Sequence, residues 1–268
     1  MIKVGVVGCG AIGSHLVKAI LARYKKTISF CGVCETDAGK VENLKRSLKK
    51  AIRSYSLEEL VSRCDLVIEA ASGKTAVEVV KLALRHNTDI MLMSVGGLLL
   101  NPQLLPKIRK KKINVYVPSG AVAGLDALKA ARMGKIFRVQ LTTKKPLAGL
   151  SGAPYINDNK IDLNKIKKEQ IIFEGTAIEA VAGFPKNINV AAVLSLAGIG
   201  ARKTRVRIVA SRLVKRNIHT LEIEGNFGKI VCCSENVPSL ENPKTSKLAM
   251  LSALATLDGI LGDVRIGT

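Results

Sequence analysis

His219 is the residue whose type and setting best suit acid–base chemistry in this sequence. It lies in the segment NIHTLEIE, residues 217–224, where polar and apolar residues alternate. Because successive side chains of a strand point to opposite faces, His219 shares a face with Leu221 and Ile223, and we expect that face to be covered. The imidazole is then either a hydrogen-bonded core residue or a group that lines the cleft between two domains.

A glycine-rich turn near the start of the chain is a second chemical signal. The strand pattern IKVGVV runs directly into GCGAIG, and a helical pattern follows. This order matches the motif in which main chain approaches a pyrophosphate at a helix N-terminus, although glycine turns also occur for structural reasons alone. The predicted dinucleotide contacts in this turn are Gly8, Gly10, Ala11, Ile12 and Gly13.

Glu35 follows the next strand pattern and lies 22 residues beyond Gly13. An acid at this position accepts hydrogen bonds from the ribose hydroxyls of an adenosine. Its charge would repel a 2′-phosphate, which favours NAD. Thr36 and Lys40 lie close enough to accommodate NADP, so the sequence predicts NAD or NADP as the cofactor.

Two further stretches carry small residues where an open α/β sheet receives its ligands. The first is the loop 69–73, which follows a buried strand pattern. The second is PSGAVAG, residues 118–124, where the lack of bulk lets main chain approach the nicotinamide end of the cofactor. Tight packing of the helix that follows is the alternative. The predicted cofactor contacts here are Ala71, Ser72, Gly120 and Ala121.

Two polar clusters precede apolar helical patterns. Asn187 and Asn189 lie in FPKNINVAA, where one is expected to cap the helix and the other to present an amide to the nicotinamide carboxamide. In NPKTS, residues 242–246, a cation and two hydroxyls meet a helix N-terminus, which suits a carboxylate. A solvated Lys244 is the alternative. The predicted substrate contacts are Asn187, Lys244, Thr245 and Ser246.

These residues need a scaffold, and the strand and helix patterns predict a fold with two parts. Up to Val117 they alternate as βαβαβ, which predicts a Rossmann-type doubly wound parallel sheet in an α/β fold. From Phe137 onward the strands alternate in polarity, and Gly225-Asn-Phe-Gly228 indicates a hairpin. We therefore predict an α+β domain with a mainly antiparallel sheet, and we expect the lysine-rich segment 155–168 to lie on its surface.

The same patterns suggest where the two domains begin and end. We expect residues 1–122 to form the dinucleotide-binding domain and residues 123–243 to form the substrate and catalytic domain. The helix pattern Leu248–Leu261 is so apolar that it needs cover. We therefore expect the C-terminal helix, residues 244–268, to complete the first domain.

The composition of the chain limits the kinds of molecule that we expect it to bind. The formal net charge is +21, but Lys and Arg are spread along the chain with no interleaved aromatic residues, so we expect no nucleic-acid partner. No apolar run approaches the roughly 18 residues of a membrane span, and the chain starts on a core strand, so we expect a soluble cytoplasmic protein. Cys31 and Cys34 lie in a strand and point to opposite faces, and we predict no metal site.

Six sequence blocks, taken in order, resemble the L-aspartate dehydrogenase family. They are GCGAIG from Gly8, EAASG from Glu69, SGAVAGLDA from Ser119, FPKNINVAA from Phe184, NIH from Asn217 and ENVPSLENPKTS from Glu235. The resemblance implies oxidation of L-aspartate to iminoaspartate with NAD or NADP, in support of NAD biosynthesis. It also implies that His219 is catalytic and that Ala123 and Asn189 contact the cofactor. The lysine-rich segment 155–168 departs from the family pattern.

Three other functions stay open at this point. The chain could be another two-domain dehydrogenase, of the homoserine dehydrogenase or dihydrodipicolinate reductase type or one that acts on a sugar. It could also be a non-catalytic dinucleotide-binding regulator, or a basic nucleic-acid binder. An antiparallel sheet with one uncovered face makes a homodimer reasonable.

Overall fold

The computed structural model of the chain describes residues 1–185, 189–239, 245–264 and 266–267. The chain divides into two compact units, Met1–Pro118 with Met250–Val264, and Ser119–Ala249 with Arg265–Thr268. The division after Pro118 differs slightly from the boundary at residue 122 that the sequence suggests. In the described part of the chain, every helix is too short or too polar to cross a membrane.

The first unit is built on a parallel sheet of five strands in the order β2-β1-β3-β4-β5. Its strands are β1 (Ile2–Val7), β2 (Ile28–Cys34), β3 (Leu66–Glu69), β4 (Asp89–Leu92) and β5 (Val115–Tyr116). Its first six helices are α1 (Ala11–Arg23), α2 (Ala38–Leu48), α3 (Leu57–Arg63), α4 (Gly73–His86), α5 (Gly96–Leu100) and α6 (Leu104–Lys111). The predicted doubly wound parallel sheet is confirmed.

Apolar side chains leave this sheet on both faces. Leu66 and Ile68 of β3 belong to one buried cluster, while Val67 between them belongs to another. This alternation is what a strand with helices on both sides requires, because neighbouring side chains point in opposite directions. Helix α11 (Lys247–Leu261) covers the same face as α1, and its Leu257 is fully buried there.

The strand order indicates at which end of the first sheet a ligand is expected to bind. From β1 the chain goes to β2 on one side, and β3 then forms on the other side of β1. In open α/β sheets, ligands bind outside the carboxyl ends of the strands at such a reversal of order. The turns that follow β1 and β3 therefore mark the expected site.

The second unit contains five strands in the order β10-β9-β6-β8-β7. Every pair is antiparallel except β6 with β8, which is parallel, so the predicted mainly antiparallel sheet is confirmed. The strands are β6 (Ile136–Pro146), β7 (Glu169–Thr176), β8 (Arg205–Ser211), β9 (Asn217–Gly225) and β10 (Gly228–Asn236). The helices of this part of the chain are α7 (Leu125–Ala131), α8 (Pro154–Asp158), α9 (Ala177–Gly183) and α10 (Asn189–Ala197).

Two local predictions in this unit have different outcomes. The hairpin is confirmed, because Gly225 pairs with Gly228 and the latter has φ +108°, a conformation that glycine adopts readily. The expectation that segment 155–168 lies on the surface is wrong in part. The ring of Tyr155 lies 5.2 Å from those of Phe173 and Phe184, and Ile156 and Ile166 are buried. A few apolar residues among the lysines anchor this segment to the core.

Candidate active site

The turn after β1 has the geometry of a nucleotide cradle. Gly8 has φ +95°, and a Cβ atom there would lie 2.7 Å from the carbonyl oxygen of Ala70 in the turn after β3. A Cβ atom at Gly13 would collide with the carbonyl oxygen of Gly8. A Cβ atom at Gly10, by contrast, would meet no protein atom within 4 Å. The protein's own packing therefore requires Gly8 and Gly13, whereas the space at Gly10 is left for something outside the protein.

Glu35 connects this turn to the end of β2. Its Oε2 accepts from the backbone N–H of Cys9 at 2.8 Å, and its Oε1 accepts from the N–H groups of Thr36 and Asp37 at 2.9 and 3.0 Å. Burial by itself raises the pKa of Glu35, but these N–H groups and the nearby Lys40 lower it below its ordinary value. The carboxylate is therefore charged at neutral pH, as the assignment to ribose hydroxyls requires.

Glu69 organises the turn after β3, a role that the sequence analysis does not predict. Its Oε1 accepts from the N–H of Ala71 at 2.7 Å, and its Oε2 accepts from the N–H of Ser94, beyond β4, at 3.0 Å. The side chain is fully buried, and burial raises the pKa of this carboxyl group. Ala71 and Ser72 are exposed above it, and the Ser72 hydroxyl accepts from the N–H of Thr75 at 3.2 Å to cap α4. The predicted cofactor contacts Ala71 and Ser72 thus lie on a loop with a rigid support.

A cavity of about 440 Å³ lies elsewhere in the first unit. It is lined by Lys3, Arg53, Tyr55 and Arg63 among others, near the start of β1 and the end of α3. These positions are at the amino ends of the strands. Because parallel α/β sheets bind nucleotides at the carboxyl ends, the glycine turn rather than this cavity remains the expected dinucleotide site.

In the second unit, a row of polar side chains crosses the buried face of the sheet. Thr143 of β6 and Ser234 of β10 lie directly opposite His219 on the two strands that flank β9. All three side chains are buried. Next to them on the same face, Leu141 and Leu221 form an apolar pair. The buried face therefore changes from apolar to polar along the strands, which marks one end of the sheet as the candidate site.

His219 occupies the centre of this row. Its side chain shares a buried face with Leu221 and Ile223, as the alternation predicts. Its Nδ1 lies 3.0 Å from the hydroxyl oxygen of Thr143, so the ring orientation is fixed by a hydrogen bond. Burial and then the positive charge of Lys145 lower the pKa of His219 to about 3. The imidazole is therefore neutral at physiological pH, the form that can accept a proton, although a pKa this low makes it a weak base.

The small-residue turn is attached to the same row. The N–H of Ala123 donates to the Ser234 hydroxyl at 2.9 Å, and the Asn236 amide donates to the carbonyl oxygen of Ala121 at 2.9 Å. A Cβ atom at Gly124 would lie 2.8 Å from Cys232 Sγ, so tight packing explains that glycine. At Gly120 a Cβ atom would meet no protein atom within 4 Å. Tight packing therefore accounts for Gly124, whereas the approach of a cofactor at Gly120 stays a prediction.

The predicted substrate contacts are brought to this region only in part. The Ser246 hydroxyl donates to the Asn236 side-chain oxygen at 2.8 Å and accepts from the N–H of Leu248 at 3.2 Å. The carbonyl oxygen of Thr245 accepts from the N–H of Ser239 at 2.7 Å. Asn189 is exposed as the first residue of α10. The predictions for Asn187 and Lys244 lie outside the described residues.

Sequence reasoning missed four side chains of this region, Thr143, Lys145, Ser234 and Asn236. The available signal was their spacing. Thr143 and Lys145 continue the buried alternation that includes Leu141, and Ser234 and Asn236 are likewise two residues apart. Polar residues at positions where the period of two demands apolar ones indicate a functional face of a strand.

Comparison with known proteins agrees with this division. Residues 126–260 match the family model described as "Aspartate dehydrogenase, C-terminal". Residues 8–118 match the model described as "Homoserine dehydrogenase, NAD binding domain". The two models thus meet near the small-residue turn and together account for most of the chain.

Solved structures show that the architecture is shared. An aspartate dehydrogenase from Thermotoga maritima superposes with a TM-score of 0.77 at 24% identity, with all of both chains covered. A hyperthermophilic archaeal homoserine dehydrogenase in complex with NADPH superposes with a TM-score of 0.60 at 12% identity, covering 98% of this chain and 99% of the other. At these identities the likeness establishes the fold.

Full-length relatives establish the family. The chain is 45% identical over 272 aligned positions to the L-aspartate dehydrogenase of Methanosarcina mazei, with 100% of both chains covered. It is 37% identical to the L-aspartate dehydrogenase of Bradyrhizobium diazoefficiens, covering all of this chain and 94% of the relative. The resemblance inferred from six short blocks is confirmed, and the chain belongs to the L-aspartate dehydrogenase family.

Proposed function

We propose that the protein catalyses NAD(P)-dependent oxidation of L-aspartate to iminoaspartate, which water converts to oxaloacetate and ammonia. The observation that carries this proposal is the neutral, hydrogen-bonded imidazole of His219 in a buried polar row. It lies in a chain that is 45% identical over its whole length to an L-aspartate dehydrogenase. The glycine turn after β1 in the first unit supports the other part of the proposal, which is that the protein binds a dinucleotide.

The residues of the first unit fit a dinucleotide. Open space at Gly10 admits a pyrophosphate, and the charged Glu35 suits an unmodified ribose and therefore NAD more than NADP. A bound nicotinamide would take the hydrogen of the substrate α-carbon with its electron pair. The contacts that we propose for the cofactor are Gly8, Gly10, Ala11, Ile12, Gly13, Glu35, Ala71, Ser72, Gly120, Ala121, Ala123 and Asn189.

His219 has the proton-transfer role in this proposal. The substrate ammonium must lose a proton before its nitrogen can form a double bond to the α-carbon. A neutral imidazole can take that proton directly or orient a water molecule that does so. The hydrogen bond between His219 Nδ1 and the Thr143 hydroxyl holds the ring in one orientation. In the tautomer that this role requires, Nδ1 carries the proton and donates to that hydroxyl, which leaves Nε2 as the acceptor for the substrate or water.

The substrate carboxylates need cationic and hydroxyl partners. We propose Asn187, Lys244, Thr245 and Ser246 as these partners. The support for Ser246 is its hydrogen bond to Asn236, whose amide also holds the turn at Ala121. That shared partner couples the chain segment before α11 to the small-residue turn.

The direct test is an assay in the direction of amination. Pure protein is mixed with oxaloacetate, ammonia and NADH or NADPH, and the loss of nicotinamide absorbance is followed. We expect oxidation of the cofactor that depends on ammonia, and NADH to be the better cofactor. A rate that is unchanged without ammonia would contradict amino-acid chemistry, and faster reduction of aspartate semialdehyde would favour a homoserine dehydrogenase.

We further propose that the enzyme is a cytoplasmic homodimer that supports NAD biosynthesis. One face of the second sheet supports the dimer, because Val231 of β10 is 56% exposed there. Light scattering should give twice the mass of the chain.

The biosynthetic role can be tested in a bacterial strain that lacks its own source of iminoaspartate. We expect the protein to let this strain grow without added nicotinate. Fractionation of cells from the source organism would test the location.

A further inference from the structure

Lys145 is a buried cation beside the candidate catalytic histidine. It lies two residues after Thr143 on β6, so the two side chains leave the strand on the same face. Thr143 pairs with His219 on one side, and Lys145 pairs with Ala210 of β8 on the other. Lys145 is only 5% exposed, although lysine is among the residue types least often buried.

Such a position is costly for an ammonium group. Burial lowers the pKa of Lys145 to about 8, because leaving water disfavours the charged form. Most molecules still carry the charge at neutral pH. Its field reaches the neighbouring imidazole, where it contributes to the low pKa of His219. A positive potential is therefore built into the protein next to the residue that must accept a proton.

We propose that the Lys145 ammonium binds a carboxylate of the substrate directly beside His219. This proposal rests on the proposed function, since L-aspartate brings two carboxylates to the site. A carboxylate compensates a buried cation through a charge-assisted hydrogen bond. It also screens the imidazole from the ammonium, so that His219 becomes a better base once substrate is bound. Binding would then prepare the proton acceptor.

Few other titratable groups complicate this assignment among the described residues. The neighbouring positions on β8 are Ile208 and Ala210, and those on β10 are Ser234 and Asn236, none of which titrates. On the described helices of this unit the titratable groups are Asp126 and Lys129 of α7, Tyr155 and Asp158 of α8, Glu179 of α9 and Lys247 of α11. The Glu179 carboxylate is exposed and accepts from Thr176. The charge of Lys145 acts on His219, whose pKa it helps to lower.

The experiment measures binding of succinate, a dicarboxylate without an amine, to the NADH-loaded protein by calorimetry. We expect Lys145→Met to weaken succinate roughly 10- to 100-fold, because a hydrogen bond between charged groups is lost. The dissociation constant of NADH should not change. Lys144→Met is the matched control, because Lys144 pairs with Glu169 at 2.9 Å on the exposed face and its loss removes the same charge.

The pH dependence separates a binding role from a structural one. Succinate affinity of the wild-type protein should fall as the pH rises through about 8, because Lys145 loses its proton. Lys145→Arg should retain affinity at higher pH, since a guanidinium stays charged. This second variant keeps the test decisive if Lys145→Met fails to fold.

The outcomes distinguish this proposal from the proposed function. Wild-type protein that binds succinate through Lys145 but does not oxidise aspartate would overturn the proposed function and leave the carboxylate site standing. Wild-type protein that oxidises aspartate, with succinate affinity and the KM for aspartate unchanged in Lys145→Met, would overturn the role of Lys145. Absence of succinate binding to the wild-type protein, or an equal loss in Lys144→Met, would overturn it as well.

Discussion

The two candidate regions, one in each unit, are assembled in different ways. In the first unit, the cradle is formed by Gly8, Gly10 and Gly13, which are neighbours in sequence, and its hydrogen-bond donors are backbone N–H groups. In the second unit, His219 depends on Thr143 and Ser234, which come from strands far apart in the chain. The proposed nucleotide contacts are thus main chain in a local motif, whereas the proposed proton acceptor depends on side chains that a sheet brings together.

Two buried charges make the same contrast. Burial raises the pKa of Glu69 and lowers that of Lys145, in each case because it disfavours the charged form. Both oxygens of Glu69 accept from backbone N–H groups, those of Ala71 and Ser94. Lys145 instead lies on the same face of its strand as Thr143. Glu69 thus holds loops in place, whereas we propose that Lys145 meets a ligand.

Removing the imidazole of His219 should produce the largest loss of activity. We expect His219→Ala to lower kcat by roughly 10²- to 10⁴-fold, because a positioned proton acceptor is lost. The dissociation constant of NADH, measured by its fluorescence, should stay the same. Thr143→Val should lower kcat less, because it removes the hydrogen bond that orients the imidazole but leaves the imidazole itself in place. Unchanged turnover in a folded His219→Ala protein would remove the imidazole from the mechanism.

Gly10 and Gly13 test the proposed nucleotide contacts of the first unit. Of these two, only Gly13 is needed by the fold. Gly13→Ala places a Cβ atom against the carbonyl oxygen of Gly8, and we expect a loss of stability of roughly 1–3 kcal/mol. Gly10→Ala has free space and a negative φ of −72°, so its thermal midpoint should stay near the wild-type value. It should nevertheless weaken NADH at least tenfold, because the methyl group fills the path of the pyrophosphate. Full affinity in Gly10→Ala would place the nucleotide elsewhere.

The contrast explains what the sequence could predict. The cradle could be predicted because every residue proposed for it, from Gly8 to Glu35, lies in one strand–turn–helix–strand segment that obeys local rules. The burial of His219 was found for a similar reason, since a period of two within one strand is a local property. Fold class followed from the change between the two kinds of strand pattern.

The surroundings of His219 could not be predicted in the same way. They depend on β6 pairing in parallel with β8 and antiparallel with β9, which are non-local choices made by the whole sheet. Nothing in the sequence therefore distinguishes Lys145 from the many other lysines. Glu69 was seen as the start of a loop, because nothing in the sequence shows that its oxygens face Ala71 and Ser94.

Asn236 tests how firmly the sheet holds the small-residue turn. Asn236→Ala removes the donor to the Ala121 carbonyl oxygen and the acceptor of the Ser246 hydroxyl, both of which are buried. Stranded buried groups of this kind cost about 1–3 kcal/mol, so we expect a stability loss of that size in chemical denaturation. We also expect a higher KM for aspartate, because the turn and Ser246 both lose their support. An equal loss of stability with normal kinetics would make Asn236 purely structural.

Glu35 tests the smallest expected effect in the first unit, which is the preference for NADH over NADPH. The lowered pKa keeps this carboxylate charged at neutral pH, so it should repel a 2′-phosphate. Two charges a few ångströms apart in a solvated site interact by about 1 kcal/mol, which is roughly fivefold in affinity. We therefore expect Glu35→Gln to shift the ratio of NADPH to NADH affinity about fivefold toward NADPH. Glu42→Gln, which removes an exposed charge from α2, is the control, and a ratio that moves equally in both variants would show that overall charge rather than Glu35 sets the preference.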